Sequence, residues 1–123
     1  MAKITGLGGI FYIADNPEAT RQWYRDILGL DGEYGPQLMW SEETAHKPYS
    51  LISHFADDNY IKPGTRGFII NLRVDDLDGF VRQLREKGVE ILGEADEGYG
   101  KFAWIMAPDG VKIELWQQID EPE

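Results

Sequence analysis

Asn16-Pro17-Glu18-Ala19-Thr20-Arg21-Gln22-Trp23-Tyr24-Arg25-Asp26-Ile27-Leu28-Gly29 reads as one complete helix, from start signal to stop signal. Asn16 caps the free backbone N–H groups of the first turn, and Pro17 suits the first helical position, where its missing N–H is no loss. Ala19, Trp23, Tyr24, Ile27 and Leu28 recur at helical spacing, and Gly29 tolerates the left-handed conformation that ends a helix. Sixty residues on, from Asn16 to Asp76, the pattern returns. Asp76 is the cap, Leu77, Phe80, Val81 and Leu84 form the stripe, and Gly88 is the stop. Helices are therefore predicted near 17–28 and 77–87, each about three turns long. Each has one apolar stripe and must lie on something.

Outward from each helix the sequence turns strand-like. Residues 10–13 (Ile-Phe-Tyr-Ile) precede the first helix and residues 68–74 (Phe-Ile-Ile-Asn-Leu-Arg-Val) the second, both rich in β-branched and aromatic side chains. In the second run Ile70, Leu72 and Val74 share one face, and Ile69, Asn71 and Arg73 the other. Further strands are predicted at 37–43 and 49–56 after the first helix, and at 101–106 and 111–117 after the second. Pro108-Asp109-Gly110 makes the turn between the last two. The expected architecture is α+β: a single domain over 1–123 made of two βαβββ modules, at about 4–57 and 67–118, joined by a connection at about 58–66. Each sheet carries its helix on one face, so the two bare faces are expected to curve around a shared cavity.

Composition narrows the function. The 12 basic and 22 acidic residues give a formal charge of −10, which repels a phosphate backbone and argues against nucleic-acid binding. The absence of cysteine removes disulfides, thiolate catalysis and cysteine-ligated metals, and fits a cytoplasmic location. No apolar run approaches the roughly 18 residues of a membrane span, and no export signal is legible at residues 3–13, so no membrane association is expected.

Four pieces of the chain resemble one family. Ile13-Ala14-Asp15 with Trp23-Tyr24-Arg25-Asp26-Ile27-Leu28-Gly29-Leu30 is similar to the signature V-x-D … F-Y-R-D-x-L-G-L of the vicinal oxygen chelate superfamily, which comprises glyoxalases, bleomycin-resistance proteins and extradiol dioxygenases. Arg73-Val74-Asp75-Asp76-Leu77-Asp78 and Gly88-Val89-Glu90-Ile91 repeat it, and Pro108-Asp109-Gly110-Val111-Lys112-Ile113-Glu114-Leu115-Trp116 resembles its closing hairpin. The resemblance implies a divalent ion held from the first and last strand of each module. Those positions fall on Gly8 and Ile69, which offer no donor, on Ser50 or Ile52, and on Glu114, the one acid retained. His54 adds at most a second ligand, too few for a catalytic ion. No metal ligand set and no cofactor are expected.

Strand parity supplies the cavity lining. Tyr12, Asn71, Arg73, Phe102, Trp104, Glu114 and Trp116 are the candidate ligand-binding residues, with Trp40 added on less certain register. Arg73 can clamp a carboxylate and Glu114 can accept from an amine; alternatively the two neutralise each other across neighbouring strands. The resemblance to bleomycin-resistance proteins implies metal-free sequestration of a small amphipathic molecule, cationic aromatics included, by a homodimer. The alternative is a glyoxalase-type lyase, isomerase or dioxygenase acting on a small oxygenated substrate, with Glu114, His54 and Arg73 as its catalytic candidates.

Overall fold

The computed structural model of the chain describes residues 2–119, so the outermost residues of the 1–123 span lie outside it. Both helices form where their caps place them. Asn16 Oδ1 accepts from the Ala19 amide and Asp76 Oδ1 from the Gly79 amide, each at 3.1 Å. The first helix, α1 (Pro17–Trp23), runs on through a π-helical turn (Tyr24–Leu28), and the second is α2 (Leu77–Glu86). Gly29 and Gly88 follow them with φ of 72° and 81°, the left-handed region predicted for the two stops.

The strands of the second half close into one mixed sheet. β1 (Ile69–Arg73) runs parallel to β4 (Lys112–Gln118), which pairs antiparallel with β3 (Gly100–Met106), which in turn pairs with β2 (Gly93–Asp96). The order is β1-β4-β3-β2, a complete strand–helix–three-strand unit. The α+β class read from the sequence is the class observed. One sheet face carries Ile70, Ala103, Ile105, Ile113 and Leu115, and these join Tyr24 and Leu28 of the first helix and Leu77, Val81 and Leu84 of α2 in a single core. Leu84, Ile105, Ile113, Leu115 and Val111 are fully buried. Side chains of this size each stabilise the fold by about 1.5–3 kcal/mol on burial.

The first half differs from expectation. The runs at 10–13, 37–43 and 49–56 form no strand ladder among the described residues, and Trp40–Glu42 is a short 3-10 turn. The physical reason is visible in their side chains. Phe11 is 98 % exposed, Ile13 82 % and Leu51 73 %, so these segments have strand composition but no partner among the described residues to bury it.

Beyond the apolar packing of Tyr24 and Leu28, polar contacts tie the first half down. The Pro108–Gly110 turn, with Asp109 at φ 65°, presents its carboxylate to the Asp15 amide at 3.3 Å and the Thr20 hydroxyl at 3.2 Å. Arg66 donates to the Asp109 carbonyl at 2.9 Å and the Ile13 carbonyl at 2.8 Å.

Candidate functional site

The sheet face turned away from the helices is a three-by-three grid. Strand register sets its rows: Ile69, Lys112 and Met106; Asn71, Glu114 and Trp104; Arg73, Trp116 and Phe102. Glu114 is at its centre. The pairing of Trp104 with Glu114 is the one predicted from the hairpin turn. On the outer strand Gly93 and Ala95 sit beside Trp104 and Phe102, small residues that leave space for the rings. Phe102 and Trp104 are near-parallel at 10° with centroids 6.2 Å apart, and Phe102 and Trp116 at 3° and 6.5 Å. The indole N–H of Trp116 is buried without a hydrogen bond.

Every residue of β4 from Lys112 to Trp116 is buried, so this second face is covered as well. The cover comes from the chain between the two helices. Tyr60 donates its hydroxyl to Glu114 Oε1 at 2.9 Å, and its ring meets Trp104 edge-on at 6.3 Å and Phe55 at 5.3 Å. Tyr49 meets Trp116 edge-on at 5.4 Å. Lys112 Nζ donates to the carbonyls of Tyr60 at 2.8 Å and Lys62 at 3.0 Å, and stands 5.2 Å from the Tyr60 ring and 5.7 Å from that of Trp104. Burial and then the Glu114 charge and hydrogen bond push the Tyr60 phenol up to about 12, so at neutral pH it is a donor. Burial lowers the Lys112 ammonium, a shift partly offset by Glu114.

Two expected placements are corrected. Arg73 and Glu114 do not neutralise each other. Arg73 Nε donates to Glu43 Oε1 at 2.6 Å and Nη1 to the Tyr49 carbonyl at 2.7 Å, while its guanidinium lies 5.3 Å from the Trp116 ring. Each charge found a nearer partner in the segment folded over the sheet. Tyr12 does not line this face either. Its hydroxyl meets that of buried Tyr24 at 3.0 Å and its ring packs on Phe68 at 5.5 Å, so it belongs to the helix-side core. Burial, and then Tyr12 itself, raises the Tyr24 phenol.

The remaining candidates divide. Asn71, Arg73, Phe102, Trp104, Glu114 and Trp116 share the grid, Asn71 at its exposed margin. Trp40 is 68 % exposed and lies against Gly6, and His54 is exposed. Sequence reading missed Glu43, Tyr49 and Tyr60. Tyr60 was hidden inside a stretch read as a connection, where an aromatic residue was the only signal.

The residues present do not fit a divalent ion. Gly8 and Ile69 bring no donor, the Glu114 carboxylate already accepts from Tyr60, and no group of three candidate ligands occurs among the described residues. A surface concavity of about 590 Å³ lies away from the grid, bordered by Arg25, Asp31 and Glu33, and one of about 270 Å³ reaches the grid's edge, bordered by Asp78, Glu94, Ala95, Lys101 and Phe102. No helix among the described residues is long and apolar enough to cross a membrane.

Comparison with known proteins places this geometry. A manganese-dependent 2,3-dihydroxybiphenyl 1,2-dioxygenase of Geobacillus genomosp. 3 is 27 % identical over 136 aligned positions; the alignment covers 99 % of this chain, which spans only 39 % of that relative. TnmS3, an antibiotic binding protein from Streptomyces sp. CB03234, superposes with a TM-score of 0.53 at 28 % identity, over 86 % of this chain and 89 % of its own. A glyoxalase/bleomycin resistance protein/dioxygenase superfamily member from Sphaerobacter thermophilus DSM 20745 gives 0.51 at 22 % identity, over 89 % and 98 %. The sequence profile of the Glyoxalase/Bleomycin resistance protein/Dioxygenase superfamily matches residues 6–115, and the chain belongs to that superfamily.

Proposed function

We propose that this chain is a metal-free binding protein that holds a small amphipathic aromatic molecule against the grid, sequestering it rather than transforming it. The observation that carries the reading is the near-parallel set of Phe102, Trp104 and Trp116 around one buried carboxylate. Ring faces give broad apolar contact, and Glu114 gives a single fixed polar point, the composition expected of a small-molecule site. The antibiotic-binding role of TnmS3 supports sequestration. The charge of −10 draws cations to the surface as a whole, so cationic aromatics belong among the compounds to screen. The assembly we propose is a homodimer. Intrinsic tryptophan fluorescence during titration with cationic, neutral and anionic aromatics tests the reading. Saturable binding is expected, weakened by about 2 kcal/mol in Trp104→Ala with the fold retained. No saturable response to any compound, or full affinity in Trp104→Ala, overturns it.

The likeness to a manganese-dependent dioxygenase favours a second reading, a glyoxalase-type lyase, isomerase or dioxygenase acting on a small oxygenated substrate. It requires an ion held on Glu114 without help from Gly8 or Ile69. Stoichiometric Mn²⁺ binding that is lost in Glu114→Gln decides for it.

A further inference from the structure

Tyr60 occupies the centre of the grid without belonging to it. It comes from no strand, the residue remains 41 % exposed, and its ring meets only the edge of Trp104 and a tilted Phe55 among the aromatic rings of the described residues. Its backbone is fixed separately, because Lys112 Nζ holds the carbonyls of Tyr60 and Lys62. The phenol can therefore change place only by rotation about the side chain's own bonds, with the segment left where it is. Withdrawal exposes the edge of Trp104 and leaves Glu114, otherwise buried, without its hydroxyl donor. A buried carboxylate stripped of its donor is costly, so the molecule that takes the place must restore one.

We propose that Tyr60 is a built-in plug of this face, and that the molecule displacing it is a phenol, an aromatic ring bearing a neutral hydroxyl donor. The proposal rests on reading the grid as the binding site and narrows the ligand class. Lys112 decides between a phenol and a cation. Its ammonium already stands within 6 Å of the Tyr60 and Trp104 rings, on the same face as Glu114, so a second cation arriving there meets like charge. A phenol meets no such charge. It donates to Glu114 as Tyr60 does, and offers its own ring to Lys112.

Isothermal titration calorimetry with 2-naphthol, 2-methoxynaphthalene and 2-naphthylmethylammonium separates the cases. Tyr60→Ala is expected to bind 2-naphthol about tenfold more tightly than wild type, the scale of one hydrogen bond to a charged group. The methoxy analogue gains less, and adding Glu114→Gln erases the difference between the two. Tyr60→Phe keeps the ring and loses the donor, so it serves if Tyr60→Ala does not fold; it is expected to gain a smaller factor for 2-naphthol. Equal affinity for 2-naphthol in wild type and both variants overturns the plug and leaves the aromatic site standing. Preference of the opened site for the ammonium overturns the ligand class. No heat from any probe in any form overturns both the plug and the site.

Discussion

Arg73 shows how a polar residue on an aromatic face is kept in place. Its guanidinium rests against the Trp116 ring while Glu43 takes Nε and the Tyr49 carbonyl takes Nη1. Burial alone would raise the Glu43 carboxyl, but the Arg73 hydrogen bond, the Ala45 amide, the Arg73 charge and the Thr44 amide outweigh it and hold the group below its ordinary 4.5. A carboxyl depressed in the folded state binds its proton more readily when unfolded, so its contribution is full above about pH 4.5 and is lost as pH falls through the lower folded value. Both side chains are partly exposed, and screening keeps the pair to about 1 kcal/mol or less. Urea midpoints measured from pH 7 down to pH 3 are expected to fall below pH 4.5 in wild type, with a shallower slope in Glu43→Gln. Parallel slopes would mean that Glu43 contributes nothing to acid sensitivity.

At the scale of elements, the closing hairpin was the most legible part of the chain. Pro108-Asp109-Gly110 fixes the pairing of the strands on either side, so the partners Trp104 and Glu114, and the face they share with Phe102 and Trp116, followed from counting outward. The helices were equally legible, because caps and stops are local chemistry. The strands of the first half were not. Alternation tells which residues share a face, but not which edge a strand pairs with, and Tyr12 turned out to face the helix-side core. Tyr60 and Glu43 escaped because their role depends on a chain segment folding back over a sheet, which no periodicity reports. Packing in the hairpin yields a prediction of its own. Gly100 is buried beneath Trp116, and a Cβ there would come within 2.6 Å of Nε1 and 3.3 Å of the Phe102 ring. Gly100→Ala is expected to tilt the Trp116 indole out of its parallel arrangement and cost about 1–3 kcal/mol, as overpacking does. Near-ultraviolet circular dichroism reads the first effect and urea unfolding the second; an unchanged aromatic spectrum would show that the rings have room to spare.

At the scale of the whole molecule, the two halves are unequal, and the proposed homodimer can be tested on that inequality. The second half buries one face of its sheet in the core and covers the centre of the other. In the first half, Phe11 and Ile13 are 98 % and 82 % exposed, while Tyr12 between them packs inward. Leu51 and Ile52 are exposed at 73 % and 71 % in another run of strand-forming composition. Apolar surface of this extent, on segments whose backbone forms no ladder, is costly in water and is the usual mark of an interface. A two-fold arrangement meets the requirement with one kind of contact, because each copy offers the same exposed segments to the other. Light scattering is expected to give twice the chain mass at micromolar concentration. Phe11→Asp or Ile13→Lys places a charge in that contact and is expected to shift the protein to monomer. The helix-side core is untouched by these changes, so each variant should keep its far-ultraviolet helical signal. A wild-type monomer at these concentrations would overturn the dimer. A dimer indifferent to both substitutions would place the interface elsewhere on the molecule. Because Tyr49 and Phe55 belong to the same half-exposed segment that covers the grid, monomerisation is also expected to loosen that cover and change the affinity for aromatic probes. Assembly and ligand binding would then be linked, each strengthening the other by the same factor.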